Sequence, residues 1–147
     1  AGSRTLLVEL PVAWMPPWAE SVLDELLAGG IRPLLAHVER YSYFRSDFSR
    51  LERLVRLGCY AHVTASNVVR ADEVGKASRR MLRRGLAQAL GSDAHSPSRR
   101  PPRMGGAARR LGARRMGQIE HTAAALLGPH TAPPKAPAHG LLAGFGW

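Results

Sequence analysis

Apolar residues along this chain follow two spacings. Short, nearly continuous runs stand at residues 5–10, 31–36, 59–64 and 86–90. Runs of that length bounded by Pro or Gly predict buried β-strands. Between them the spacing becomes helical. Trp18, Val22, Leu23, Leu26 and Leu27 form one stripe, ended by Gly29 and Gly30. Phe48, Leu51, Leu54, Val55 and Leu57 form a second, capped by Asp47 or Ser46 and closed by Gly58. Residues 71–84 predict a basic helix, and residues 104–115 and 116–127 predict two more. Strand followed by helix, four times over, predicts an α/β fold of parallel strands with right-handed crossovers. From Gly128 onward Pro, Gly, Ala and His dominate. We therefore expect one unit over residues 1–128 and a flexible tail over 129–147.

Composition narrows this picture. With 147 residues, 45% of them hydrophobic, the chain can build one ordinary core. Lys plus Arg number 21 against 11 for Asp plus Glu, a net charge of +10 that favours anionic partners. Arg79, Arg80, Arg83 and Arg84 fall near the end of the basic helix, where the helix dipole favours cations. They lack interleaved aromatics, so no nucleic-acid surface is expected. One cysteine, Cys59, excludes an internal disulfide framework. Its place in a strand predicts a small buried hydrophobe rather than a phosphocysteine nucleophile. No apolar run is long enough to span a bilayer, and no signal peptide is visible. Trp14 and Trp18 are expected to pack around the first loop, and His62 to be a hydrogen-bonded core or wall histidine. The chain lacks an initiating Met and is strand-like almost from its start, so further strands are expected upstream of Ala1.

Polar residues recur at predicted strand ends. Glu9 ends the first strand, His37 follows the second, and Asp93 and His95 follow the fourth. Two residues apart on an extended backbone, Asp93 and His95 would point the same way. Carboxylates and imidazoles converging at such a rim suit a divalent metal. Arginines follow at once, Arg40 after His37 and Arg99 and Arg100 after His95, and guanidinium forks suit phosphate oxygens. In (β/α) barrels the carboxyl ends of the strands are where active sites form.

Three pieces carry a family resemblance: Leu6-Leu7-Val8-Glu9-Leu10-Pro11, Ala36-His37-Val38-Glu39-Arg40-Tyr41, and Ser92-Asp93-Ala94-His95 followed by Arg100-Pro101-Pro102. On these the chain resembles the PHP (polymerase and histidinol phosphatase) superfamily. Within it, the chain looks like the bacterial manganese-dependent protein-tyrosine phosphatases of capsular and exopolysaccharide operons. The resemblance implies the C-terminal portion of a distorted (β/α)7 TIM-like barrel, with a cluster of divalent metals, usually manganese, at its rim. It implies that Glu9, His37, Asp93 and His95 ligate metal, and that Arg40 and Arg100 hold phosphate, with Arg99 as the alternative to Arg100. The reaction implied is hydrolysis of a phosphate monoester, the metal supplying a water deprotonated near neutral pH. The substrate implied is phosphotyrosine on a cytoplasmic tyrosine autokinase that controls polysaccharide export.

The chain departs from the family pattern at several places. It has no His-x-His pair, Val38 replaces a common proline, Ser96 a common asparagine, and Arg103 stands where histidine is frequent. Without the first-strand ligands the chain alone is expected to be a weak or inactive enzyme whose open strand edge drives dimerisation or aggregation. Three other readings stay open: a small-metabolite phosphatase of the histidinol-phosphate kind, a polymerase-associated nuclease-like module, and an inactive basic fragment that binds acidic partners.

Overall fold

The structure is a computed structural model that describes residues 3–99 and 101–128. Four strands form one sheet in the order β1 (Thr5–Val8), β2 (Arg32–Leu35), β3 (Tyr60–Thr64) and β4 (Ala89–Gly91). Every pairing is parallel, with Leu7 opposite Leu34, Leu35 opposite Ala61, and Val63 opposite Leu90. The α/β class and the parallel pairing therefore agree with the hydrophobic pattern.

Seven helices connect and cover the strands among the described residues: α1 (Ala19–Ala28), α2 (Ser42–Ser46), α3 (Phe48–Leu57), α4 (Ala65–Val68), α5 (Glu73–Arg83), α6 (Gly105–Leu111) and α7 (Ala113–Leu127). Asp47 caps α3 by accepting from Ser49 N at 3.0 Å, and Gly58 ends it in the left-handed region at φ 118°. Asp72 caps α5, its carboxylate accepting from Gly75 N at 3.1 Å. A Cβ on Gly75 would meet Arg70 O at 2.1 Å, so only glycine fits that first turn. The core lies at the middle of the sheet. Leu35, Ala61 and Val63 are sealed beneath Phe44, Leu51, Leu54 and Met81.

Several expectations need correction. Strand β4 starts three residues late, because Leu86 N and Ala87 N still bond Met81 O and so finish the turn after α5. The two last helices divide at Gly112, φ 78°, rather than after Arg115. Trp14 and Trp18 do not pack: they are 55% and 57% exposed. Helix α1 begins at Ala19, which leaves Trp18 at the cap and directs Ala19, Leu23, Leu26 and Leu27 inward, with Val22 outward beside Trp18. Leu57 likewise falls outside the α3 stripe, at 41% exposed.

The basic helix spends much of its charge internally. Arg79 donates to Val68 O and Arg70 O at 2.7 Å, which caps the end of α4. Arg80 and Arg84 lie over the Phe48 ring, at 5.1 and 5.6 Å from its centroid. No described helix is long and apolar enough to cross a membrane.

Candidate active site at the carboxyl ends of the strands

Two short turns build the site. After β2 the chain enters a 3-10 turn at Val38–Arg40. His37 opens it in the left-handed region, φ 36° and ψ 51°, which is uncommon for a residue with a Cβ. After β4, Asp93 also takes a positive φ, 53°. The backbone there is not extended, so Asp93 and His95 meet by another route than the one their spacing predicts. Instead the His95 ring folds back, its Nδ1 2.8 Å from Asp93 O and 3.6 Å from Asp93 Oδ1, and its side chain stays 62% exposed.

The four expected metal ligands therefore stand as two pairs. Glu9, one residue past β1, places Oε1 3.2 Å from His37 Nε2. Its side chain is 65% exposed, while His37 is buried. Asp93 and His95 make the second pair. Arg40 reaches across to form a hydrogen-bonded ion pair with Asp93, so one expected phosphate ligand and one expected metal ligand are bonded to each other. Arg100 lies outside the described residues.

The donors are of the right chemistry for a divalent cation, and the Nδ1 atom of His37 is buried without a hydrogen-bond partner among the described residues. Among the described residues, however, no three His, Cys, Asp or Glu side chains converge as a metal shell needs. The described residues thus bring the expected ligands together only in pairs.

Residues not singled out in the sequence hold these pieces in place. Glu39, in the middle of the 3-10 turn, is wholly buried. Its Oε1 accepts from Thr64 N at 2.9 Å and from Asn67 Nδ2 at 2.7 Å. Arg45 Nη1 donates to the carbonyls of Glu39 and Arg40, at 2.8 and 2.7 Å. Tyr41 Oη accepts from Leu10 N at 3.0 Å and so ties the turn to the segment carrying Glu9. Burial, the largest cause, pushes the Tyr41 hydroxyl up to about 12. Tyr43 Oη donates to Pro11 O at 3.0 Å. His62, expected as a core or wall histidine, is buried, with Nε2 accepting from His37 N at 3.4 Å. Its ring lies where Gly91 lacks a side chain: a Cβ there would come within 3.1 Å of Nδ1. Desolvation, the main cause, lowers the pKa of His62. The one available signal for Glu39 was its place beside His37 and Arg40, directly after the apolar run that ends at Ala36.

Comparison with known proteins gives this arrangement its relatives. The chain is 30% identical over 109 residues to the tyrosine-protein phosphatase CpsB of Streptococcus pneumoniae, covering 69% of this chain and 45% of that protein. It is 33% identical over 101 residues to the putative tyrosine-protein phosphatase CapC of Staphylococcus aureus, covering 67% of this chain and 40% of that one. The chain thus spans less than half the length of these curated relatives. A solved chain from the crystal structures of YwqE from Bacillus subtilis and CpsB from Streptococcus pneumoniae, described as unique metal-dependent tyrosine phosphatases, superposes with a TM-score of 0.79 at 25% identity. That superposition covers 93% of this chain and 59% of the other. The sequence pattern of a family described as capsular polysaccharide synthesis, CpsB/CapC, matches residues 1–128, and the chain belongs to that family.

Proposed function

We propose that this chain supplies the C-terminal part of a metal-dependent protein-tyrosine phosphatase whose substrate is a tyrosine autokinase regulating capsular or exopolysaccharide synthesis in the cytoplasm. The observation that carries the reading is the meeting of Glu9 with His37, and of Arg40 with Asp93, at the carboxyl ends of parallel strands. In this reading the four strands are the later part of a distorted (β/α)7 barrel, residues 1–128 being the domain portion and 129–147 its tail. Glu9, His37, Asp93 and His95 contribute to a manganese site completed by donors from outside this chain. Arg40, with Arg100 beside it, binds the phosphate oxygens, and Asp93 holds the Arg40 guanidinium in place until phosphate arrives. A planar guanidinium suits this role because it can donate two parallel hydrogen bonds to one phosphate.

The test is hydrolysis of a phosphotyrosine peptide with manganese, by this chain alone and by this chain fused to the N-terminal portion of the pneumococcal relative. The fusion is expected to be active and the chain alone nearly silent. Full activity from residues 1–147 alone would refute the half-barrel reading. An inactive but folded fusion would refute the phosphatase reading.

A further inference from the structure

We propose that Glu39 is a positioning residue: its buried carboxylate sets the 3-10 turn that presents His37 on one side and Arg40 on the other. The inference rests on the phosphatase reading for what those two side chains bind, but its geometry is independent of it. A carboxylate with no exposed surface is an expensive group to bury. Here both its hydrogen bonds converge on one oxygen. Thr64 N and Asn67 Nδ2 donate to Oε1, while Oε2 is buried with no hydrogen-bond partner among the described residues. An apolar side chain of similar volume would fill the space at less cost, so packing does not account for the choice.

Position does account for it. Thr64 ends β3, and Asn67 lies in α4, so the two bonds nail the turn after β2 to the neighbouring strand end. The residues on either side of Glu39 then have little freedom. His37 is held at positive φ and hydrogen-bonded through its backbone N–H to His62. The carbonyls of Glu39 and Arg40 are gripped by Arg45. A left-handed residue persists only where its surroundings over-determine it, and Glu39, together with His62, supplies the contacts that come from β3.

An acceptor at Oε1 is what this role requires, and a negative charge is not. Three variants of residues 1–147 separate the possibilities: Glu39→Gln, Glu39→Ala and Asn67→Ala. The readout is the side-chain nitrogen resonances of His37 and Arg40 in 15N-labelled protein, together with the melting temperature. Glu39→Gln keeps an acceptor, so both resonances are expected to stay at their wild-type positions. Glu39→Ala is expected to shift and broaden both, with Asn67→Ala intermediate. Titration with inorganic phosphate, followed at Arg40 Nε–H, is expected to be weakened about tenfold or more by Glu39→Ala, since small misplacements of a binding group are costly.

Wild-type resonances in Glu39→Ala would overturn the proposal. Equal disruption by Glu39→Gln would also overturn it, because charge and not position would then be the requirement. Should Glu39→Ala fail to fold, unchanged resonances in Asn67→Ala would reduce Glu39 to a folding residue. Wild-type protein that binds no phosphate would count against the phosphatase reading alone, since the resonance comparison does not depend on it.

Discussion

Leu7 and Leu35 belong to adjacent parallel strands and lie one register step apart. Leu35 is sealed, while Leu7 is 61% exposed. The contrast holds across each neighbourhood. Around Leu35 lie Ala61, Val63, Phe44 and Tyr41, all with no exposed surface, and through them run the bonds of Glu39 and Arg45. On the side of β1, Leu6 is 45% exposed, and Val12 and Trp14 in the loop that follows and Trp18 at the start of α1 are each more than half exposed. The site inherits this difference. His37 and the backbone of Arg40 come from the packed centre and are fixed by it. Glu9 and His95 come from the flanks, with side chains 65% and 62% exposed. The two exposed side chains thus lie past the edge strands β1 and β4, while Asp93, also past β4, is held at 10% exposure by its pairing with Arg40.

The comparison can be broken most sharply at its centre. Phe44→Ala removes a fully buried ring that packs edge-on against Tyr41 and Tyr43. It is expected to cost about 3–5 kcal/mol of unfolding free energy in a urea titration. A loss below about 1 kcal/mol would show that the centre is no better packed than the edge.

Next comes the guanidinium at the boundary. In a complete phosphatase built with this chain, Arg40→Lys keeps the charge but loses the fork, and is expected to lower kcat/KM by the equivalent of about 2–4 kcal/mol. Unchanged kinetics would make Arg40 a structural partner of Asp93 and nothing more.

A third prediction uses pH. Burial pushes the Cys59 thiol up from 9.0 to about 12, and the Tyr41 hydroxyl up from 10.0 to about 12. Both groups keep their protons longer in the folded state than in the unfolded one. Their contribution to stability is thus complete below 9.0 and is lost as pH rises toward about 12. Melting temperature should fall across that window, less steeply in Cys59→Ala, and the Cys59 thiol should resist a disulfide reagent at neutral pH until the protein unfolds. Rapid labelling of the native protein would place Cys59 on the mobile side of the comparison.

The smallest effect belongs to the edge. Leu7→Lys is expected to change stability by no more than about 0.5 kcal/mol. It should nevertheless reduce self-association of the chain in sedimentation, since a lysine blunts an open strand edge. A large loss of stability would mean that Leu7 is packed in solution.

Much of the frame was legible in the sequence because it depends on local rules. The positions of the four strands along the chain follow from apolar run lengths, and the Asp47 cap and the Gly58 stop follow from backbone chemistry at helix ends. The nearness of Glu9 and His37 was also legible, since both sit at the ends of neighbouring parallel strands. What escaped depends on dihedral angles and on partners distant in sequence. The Arg40–Asp93 bond needs a positive φ at Asp93 and the ends of β2 and β4 close together. Glu39 has no role of its own in the sequence pattern, because its partners lie on β3 and α4. Trp18 reads as the start of a stripe until the first helical residue is fixed at Ala19.

One contact bears on how such a chain folds as it is made. The guanidinium of Arg32, a buried residue of β2, donates to the carbonyls of Ala125 and Leu126 at 3.0 and 3.4 Å, and Thr5 Oγ1 donates to Leu126 O at 2.6 Å. These bonds cap the last turn of α7 and close loops of more than ninety residues. A nascent chain halted before residue 125 would hold β2 with a cation that lacks its acceptors, and β1 without its hydroxyl tie. Completion of the first strands therefore waits on the last helix, which makes final folding an event that follows synthesis of this segment instead of accompanying it.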